Sequence, residues 1–240
     1  MRGLAVAMGC AALMVATGLA HAQLPKRGGT LNFAVIAEPP NYDCHASTTF
    51  ALVHPIAPHY SLLVKFDGED YPKVIPDLAQ SWTVAPDGMT LTFKLKHPVQ
   101  FHDGSPLTSK DVKASYERII NPPPGVVSMR RSYYADLTVE APDPATVIFK
   151  LRNPMAGVLE ALASPFNCIY SAAKLKLNPR YPETEIMGSG PFTLVAHVRG
   201  TSWEGRRFAG YFEEGKPYLD GYKAFFVKSN GVVPGILGGQ

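Results

Sequence analysis

No block of like charge interrupts this 240-residue chain, and its 23 lysines and arginines nearly balance 20 aspartates and glutamates. The formal net charge is +3, and Arg2 supplies one unit of it. Such a balance excludes the strong field that would steer a protein to nucleic acid or an acidic surface. There is no low-complexity tract and no internal repeat, although the chain has 22 prolines. Enzyme signatures are missing too: no G-x-S-x-G elbow, no G-x-x-x-x-G-K-[ST] loop and no H-E-x-x-H helix. Gly188-Ser189-Gly190-Pro191 is no phosphate cradle, because Pro191 lacks the amide donor such a loop needs; it reads as a turn entering a strand.

Cysteine is scarce, with three in all. Cys10 lies in an opening segment that has the form of an export signal. Arg2 supplies the charge, Leu4 to Leu19 are apolar or small, and Ala20-His21-Ala22 obeys the small-x-small rule for cleavage before Gln23. The apolar run is short for a bilayer span of ~20 residues. In an oxidising compartment the other two, Cys44 and Cys168, either pair or stay as separate packed thiols; spacing alone leaves both open.

What is present reads as mixed α/β. LNFAVIA after Gly28-Gly29 has the form of a buried strand, and Ser47 is placed to cap a helix through Tyr60 that Pro55 and Pro58 must kink or break. SLLVKF reads as a strand. SWTV and MTLTFKL flank a turn at Ala85-Pro86-Asp87-Gly88, with Met89, Leu91, Phe93 and Leu95 on one face of the second strand. In FHDGSPLTSKDV, Asp103-Gly104 turns the chain, and Thr108 with Asp111 forms a capping-box pattern. Val112, Tyr116, Ile119 and Ile120 give the helix that follows a buried stripe, and Asn121 with three prolines stops it. ADLTVEAPDPATVIFKL is a hairpin turned at Pro142-Asp143. ALASPFNCIYSAAKL mixes helix and strand signals, and PFTLVAHVRG and KPYLDGYKAFFVK each carry a strand.

In order along the chain, GGTLNFA, PDLAQSWTVAPDGMTLTFKLKHPVQFHDGSPLTSKDVKASYERI, VEAPDPATVIFKL, GSGPFTLV and YFEEGKPYLDGYKAFFV resemble the extracellular solute-binding proteins of family 5. These are the peptide/nickel-type receptors of bacterial ABC importers. The resemblance implies an α/β, two-lobe fold of the type II periplasmic-binding-protein kind. Residues 1–22 would be a signal peptide, 23–60 and 186–240 two segments of the first lobe, and 61–185 an inserted β-rich buttressing domain. It also implies a truncated chain whose second lobe is missing. The corner at Asp103-Gly104 is then a folding instruction.

The resemblance further implies that Thr48, Thr49 and Phe50 line the ligand cavity, against an ordinary helix cap with Phe50 in the core. Arg130, Arg131 and Tyr133 follow the proline-rich break, where relatives send a loop toward the cavity. An arginine there would hold a ligand carboxylate, against a solvated basic loop with packed tyrosines. His45, His54, His59, His97 and His102 lack metal-site spacing, although some relatives bind nickel or haem. The implied function is a periplasmic, monomeric receptor that captures a peptide or similar small solute and delivers it to ABC permease subunits, with no catalysis, cofactor, metal or nucleic acid. The alternatives are an exported hydrolase using His102-Asp103 with Ser105, and a truncated, non-functional piece of the receptor. If Ala20-His21-Ala22 is the cleavage site, N-terminal sequencing of exported protein will begin at Gln23; periplasmic protein that keeps Met1 would refute it.

Overall fold

A computed structural model describes residues 25–228 and 231. The opening segment, Cys10 within it, and the final GILGGQ lie outside the described residues. The chain runs β1 (Thr30–Val35), α1 (Phe50–Ile56), β2 (Val64–Phe66), β3 (Val74–Pro76), β4 (Ala79–Val84), β5 (Thr90–Leu95) and α2 (Ser109–Ile120). It continues through β6 (Leu137–Asp143), β7 (Thr146–Leu151), α3 (Val158–Leu162), α4 (Ala172–Leu177), β8 (Phe192–Val198), β9 (Ser202–Arg207) and β10 (Gly221–Phe226).

Two four-stranded sheets organise it. The first has the order β1-β10-β9-β8, with β1 parallel to β10 and the other pairs antiparallel. The second, β4-β5-β7-β6, is wholly antiparallel. Each covers its own core. Leu91 and Phe93 of β5, Val147 and Phe149 of β7 and Tyr116 of α2 are fully buried in one. Leu52, Ile56, Tyr170, Trp203 and Tyr222 fill the other. Burying each such side chain contributes about 1.5–3 kcal/mol.

The alternation in β5 is as expected: Leu91, Phe93 and Leu95 point inward. The α2 stripe of Val112, Tyr116, Ile119 and Ile120 is buried as well. The Thr108 amide donates to Asp111 Oδ2 at 2.7 Å, so aspartate closes the capping box despite its shorter reach. Asp111 Oδ1 accepts from the Ala172 amide at 2.8 Å and ties α2 to α4.

Several expectations need correction. β1 is mostly exposed, with Leu31 51% accessible, because it pairs only with β10 among the described strands and turns alternate side chains outward. The helix expected from Ser47 to Tyr60 is α1 alone, beginning after Thr49; a 3-10 turn, Ala57–His59, carries Pro58, and Tyr60 is already extended. Ser47 Oγ instead accepts from the Thr49 amide at 3.2 Å. Phe50 is 69% exposed, so it is not a core residue. The β6–β7 turn falls two residues later than expected, at Pro144-Ala145, because a bulge lets Pro142 and Asp143 remain in the strand. The ambiguous stretch resolves into α3, an extended passage through Cys168, and α4. β9 was not foreseen, since SWEGRR shows no apolar alternation. Cys44 and Cys168 form a disulfide.

The two sheets meet along a seam. A Cβ on Gly188 would lie 1.9 Å from the His59 carbonyl oxygen, and one on Gly190 would lie 2.5 Å from the Tyr60 nitrogen. Glycine therefore lets backbone lie on backbone, and Gly190 N–H donates to His59 O at 3.0 Å. His102, in the corner before α2, reaches the same segment: its amide donates to Gly188 O at 2.8 Å and its Nε2 to Gly190 O at 3.0 Å.

Two buried histidines are held neutral at the seam. Trp203 Nε1 donates to His59 Nε2 at 2.8 Å, so His59 Nδ1–H donates to Phe192 O at 2.7 Å. His45 Nδ1 faces the donor Arg118 Nη1 at 3.0 Å, so its Nε2–H donates to Cys168 O at 3.0 Å. Burial pushes both imidazoles down to about 3 from an ordinary 6.5.

Two predictions follow from this geometry. Gly104 has φ +84° with open space around its Cβ position, so Gly104→Val should cost ~1 kcal/mol or more from backbone strain alone. Gly190→Ala, which meets fixed backbone, should cost more; equal urea midpoints for the two variants and the wild type would contradict both readings. For His45 and His59, unfolding takes up protons between 6.5 and about 3. Stability should thus be full above pH 6.5 and fall below it, by about 1.4 kcal/mol per pH unit for each histidine. A urea midpoint that stays level from pH 7 to pH 5 would rule this out.

Candidate functional site

Beyond α2 the chain passes through Pro122-Pro123-Pro124 and returns toward the segment that leads into α1. Met129 N–H donates to His45 O at 3.0 Å, which pins the returning strand of chain. Arg130 then opens a 3-10 turn, Arg131–Tyr134, through the Tyr133 N–H bond to Arg130 O at 3.0 Å. Tyr134 is driven into the core, where its hydroxyl donates to Ala161 O at 2.6 Å and accepts from Asn167 Nδ2 at 2.8 Å. The turn cannot tilt without breaking these bonds.

The result is a hollow of about 370 Å³ lined by Thr48, Met129, Arg130, Tyr133, Ser164 and Phe166 among others. Arg130 is 91% buried, its residual exposure being 9%. Its guanidinium carbon stands 4.1 Å from the centre of the Phe166 ring, and Nη2 donates to Ser47 O at 2.8 Å. Nη1 is buried and has no acceptor among the described residues. Burial lowers the Arg130 pKa from its ordinary value, while three nearby tyrosines oppose that shift. A cation stacked on a ring with a spare donor is suited to an anionic or carbonyl oxygen entering the hollow.

Of the six residues expected here, Thr48, Arg130 and Tyr133 come together around the hollow; Thr49, Phe50 and Arg131 do not line it. Thr49 sits at the N-cap position of α1 without a side-chain capping bond, Phe50 stacks on His54 with ring centres 5.2 Å apart, and Arg131 faces solvent. Ser164 and Phe166 were missed, because they belong to the stretch whose signals conflicted. No local signal could have found them, because the pairing of Cys168 with Cys44, which brings this stretch beside the segment before α1, exists only in the tertiary structure.

A larger hollow of about 430 Å³ lies between α2 and α4. The guanidinium in its wall, Arg118, is already engaged. Its Nη2 and Nη1 donate to Asp43 at 2.6 and 3.2 Å, and its Nε donates to Pro179 O at 3.0 Å. Burial would raise the Asp43 carboxyl, but Arg118 and the Tyr170 hydroxyl outweigh it and hold the group below its usual range.

The His102-Asp103-Ser105 group is not arranged for nucleophilic catalysis. Ser105 Oγ donates to Asp103 Oδ1 at 2.6 Å, and His102 Nε2 is committed to Gly190 O. Among the described residues, no three His, Cys, Asp or Glu side chains gather as metal ligands.

The model for the bacterial extracellular solute-binding proteins, family 5 Middle, matches residues 73–234. Glutathione-binding protein GsiB of Escherichia coli (strain K12) is 33% identical over 144 residues, which are 60% of this chain and 28% of GsiB. Among solved structures, the PBP AgaA from A. tumefacien R10, in complex with agropinic acid, superposes with a TM-score of 0.81 at 32% identity, covering 88% of this chain and 42% of AgaA. The oligopeptide-binding protein AppA from Bacillus subtilis, in complex with a nonapeptide, gives 0.80 at 28% identity, covering 90% and 44%. The chain thus spans less than half the length of these relatives. With the family model matching more than half of its residues, the chain belongs to the bacterial extracellular solute-binding proteins of family 5.

Proposed function

We propose that this chain carries one wall of the solute site in the receptor subunit of an ABC importer. In that role it captures a peptide or similar small solute in the periplasm and delivers it to membrane permease subunits, as a monomer and without chemistry. The observation that carries the reading is Arg130, a buried guanidinium with a spare donor at the rim of a hollow. Thr48 and Tyr133 add a hydroxyl and an aromatic face, and we assign ligand contacts to Thr49, Phe50 and Arg131 only if the solute extends beyond the hollow. The relatives fit this reading: GsiB is named for glutathione, and AppA was solved with a nonapeptide.

The division into lobe and buttress belongs to the same proposal. Residues 23–60 and 186–240 would form the first lobe, around the sheet that contains β1 and β10, and 61–185 the buttressing domain. The hydrolase alternative is disfavoured by the hydrogen bonding of Ser105 and His102.

Tyr133, which lines the hollow, is 66% exposed, so the hollow is open on one side among the described residues. Contacts from one wall alone offset little of the cost of taking the ligand's charge out of water to meet the buried guanidinium. The 240-residue chain should therefore bind a peptide mixture weakly in calorimetry, with Kd on the order of 1 mM. A full-length relative such as GsiB, titrated in parallel with glutathione, should bind far more tightly. Arg130→Ala should remove the residual binding, and the peptides should be recovered uncleaved. Equal affinity in the two proteins, unchanged binding by the variant, or peptide cleavage would each overturn the reading.

A further inference from the structure

The disulfide between Cys44 and Cys168 spans 124 residues, with the Cα atoms 6.1 Å apart and both cysteines fully buried. Its position in the chain coincides with the two groups that aim Arg130. Three residues after Cys44, the Ser47 carbonyl accepts from Arg130 Nη2 at 2.8 Å. Two residues before Cys168, the Phe166 ring lies 4.1 Å from the guanidinium carbon. We infer that the Cys44–Cys168 disulfide is a positioning element for Arg130, joining in one covalent unit the carbonyl and the ring that cage its guanidinium.

The alternatives account for less. A redox switch needs a sulfur that a dithiol can reach, and neither sulfur meets solvent. A general staple would stabilise the fold wherever the chain was tied, and would treat all buried arginines alike. Arg118 provides the comparison. It is buried beside the same disulfide, but Asp43 and the Pro179 carbonyl hold it through three bonds of its own. Arg130 has one hydrogen bond and one ring contact, each on a segment that the disulfide anchors. Besides the disulfide, three hydrogen bonds link the two segments, His45 Nε2–H to Cys168 O at 3.0 Å, Cys44 N–H to the Tyr170 hydroxyl at 2.8 Å and that hydroxyl to Asp43 Oδ1 at 3.0 Å, but none of them involves Ser47 or Phe166. Loss of the covalent link should therefore free Arg130 while Arg118 stays in place. The consequence for solute binding rests on the proposed function, but the caging itself does not.

The test is guanidinium modification by phenylglyoxal, read residue by residue by peptide mass spectrometry. It compares the oxidised protein with the Cys44→Ala/Cys168→Ala double variant. In the wild type Arg130 and Arg118 should be protected, and exposed Arg131 should react. In the double variant, modification of Arg130 should rise about tenfold, as expected when a local opening replaces a closed state, with Arg118 still protected, Arg131 unchanged and the circular dichroism retained. An Arg130 that stays protected in a folded double variant overturns the inference. So does equal exposure of Arg118 and Arg130, which would mark general loosening. Phe166→Leu, with the disulfide intact, is the second arm and serves if the double variant does not fold: Arg130 should again become reactive, and continued protection would overturn the cage. No ligand is needed, so a failed peptide titration with an intact labelling result would sink the receptor reading and leave this one standing.

Discussion

Backbone laid on backbone at Gly188-Ser189-Gly190 is the contact on which the rest of the molecule depends. No side chain intervenes between this segment and His59-Tyr60, since any Cβ at Gly188 or Gly190 would overlap main-chain atoms. The segment also receives two bonds from His102, on the corner that launches α2. One short stretch therefore sets the position of the β8 sheet, the α1 turn and the α2 helix relative to one another. Because the contact is polar and rigid, it leaves little freedom for sliding between the two cores.

A second, ionic contact works in parallel. Arg118 comes from the polar edge of α2, and Asp43 from the loop between β1 and α1, 75 residues earlier. A buried pair of this kind is a weak source of net stability, because desolvation offsets most of the attraction, but either member alone would be a costly unpaired charge. Its effect is to make one arrangement of loop and helix much better than its neighbours. The same loop carries Cys44 and Ser47, so the pair, the disulfide and the Arg130 cage share a scaffold.

How much of this was legible in the sequence depended on the range of the interaction. The capping box at Thr108 and Asp111, the β5 alternation and the α2 stripe are written in neighbouring residues, and the structure has them where the pattern puts them. α1 was expected too long: it starts only after Thr49, runs through Pro55 and gives way at Ala57 to the 3-10 turn that carries Pro58. β9 had no local signal: Gly205 stands where Tyr222 of β10 needs its ring space, a reason that exists only once the strands are paired. The site was harder still. Arg130 and Thr48 could be named from the resemblance, but Phe166 could not be linked to them by any spacing rule.

Local chemistry and motif order, which sequence alone determines, were enough to specify the mixed α/β class and the family to which the chain belongs. The tertiary structure decided which cysteines meet, which histidines are neutral and which arginine keeps a spare donor. Each of those is a property of distance and burial between segments far apart in the chain. Burial removes water from a group, and whether a partner then replaces that water depends on the whole fold. For Arg118 a carboxylate does so; for Arg130 a carbonyl and a ring do so in part, and the remaining donor is buried with no acceptor among the described residues.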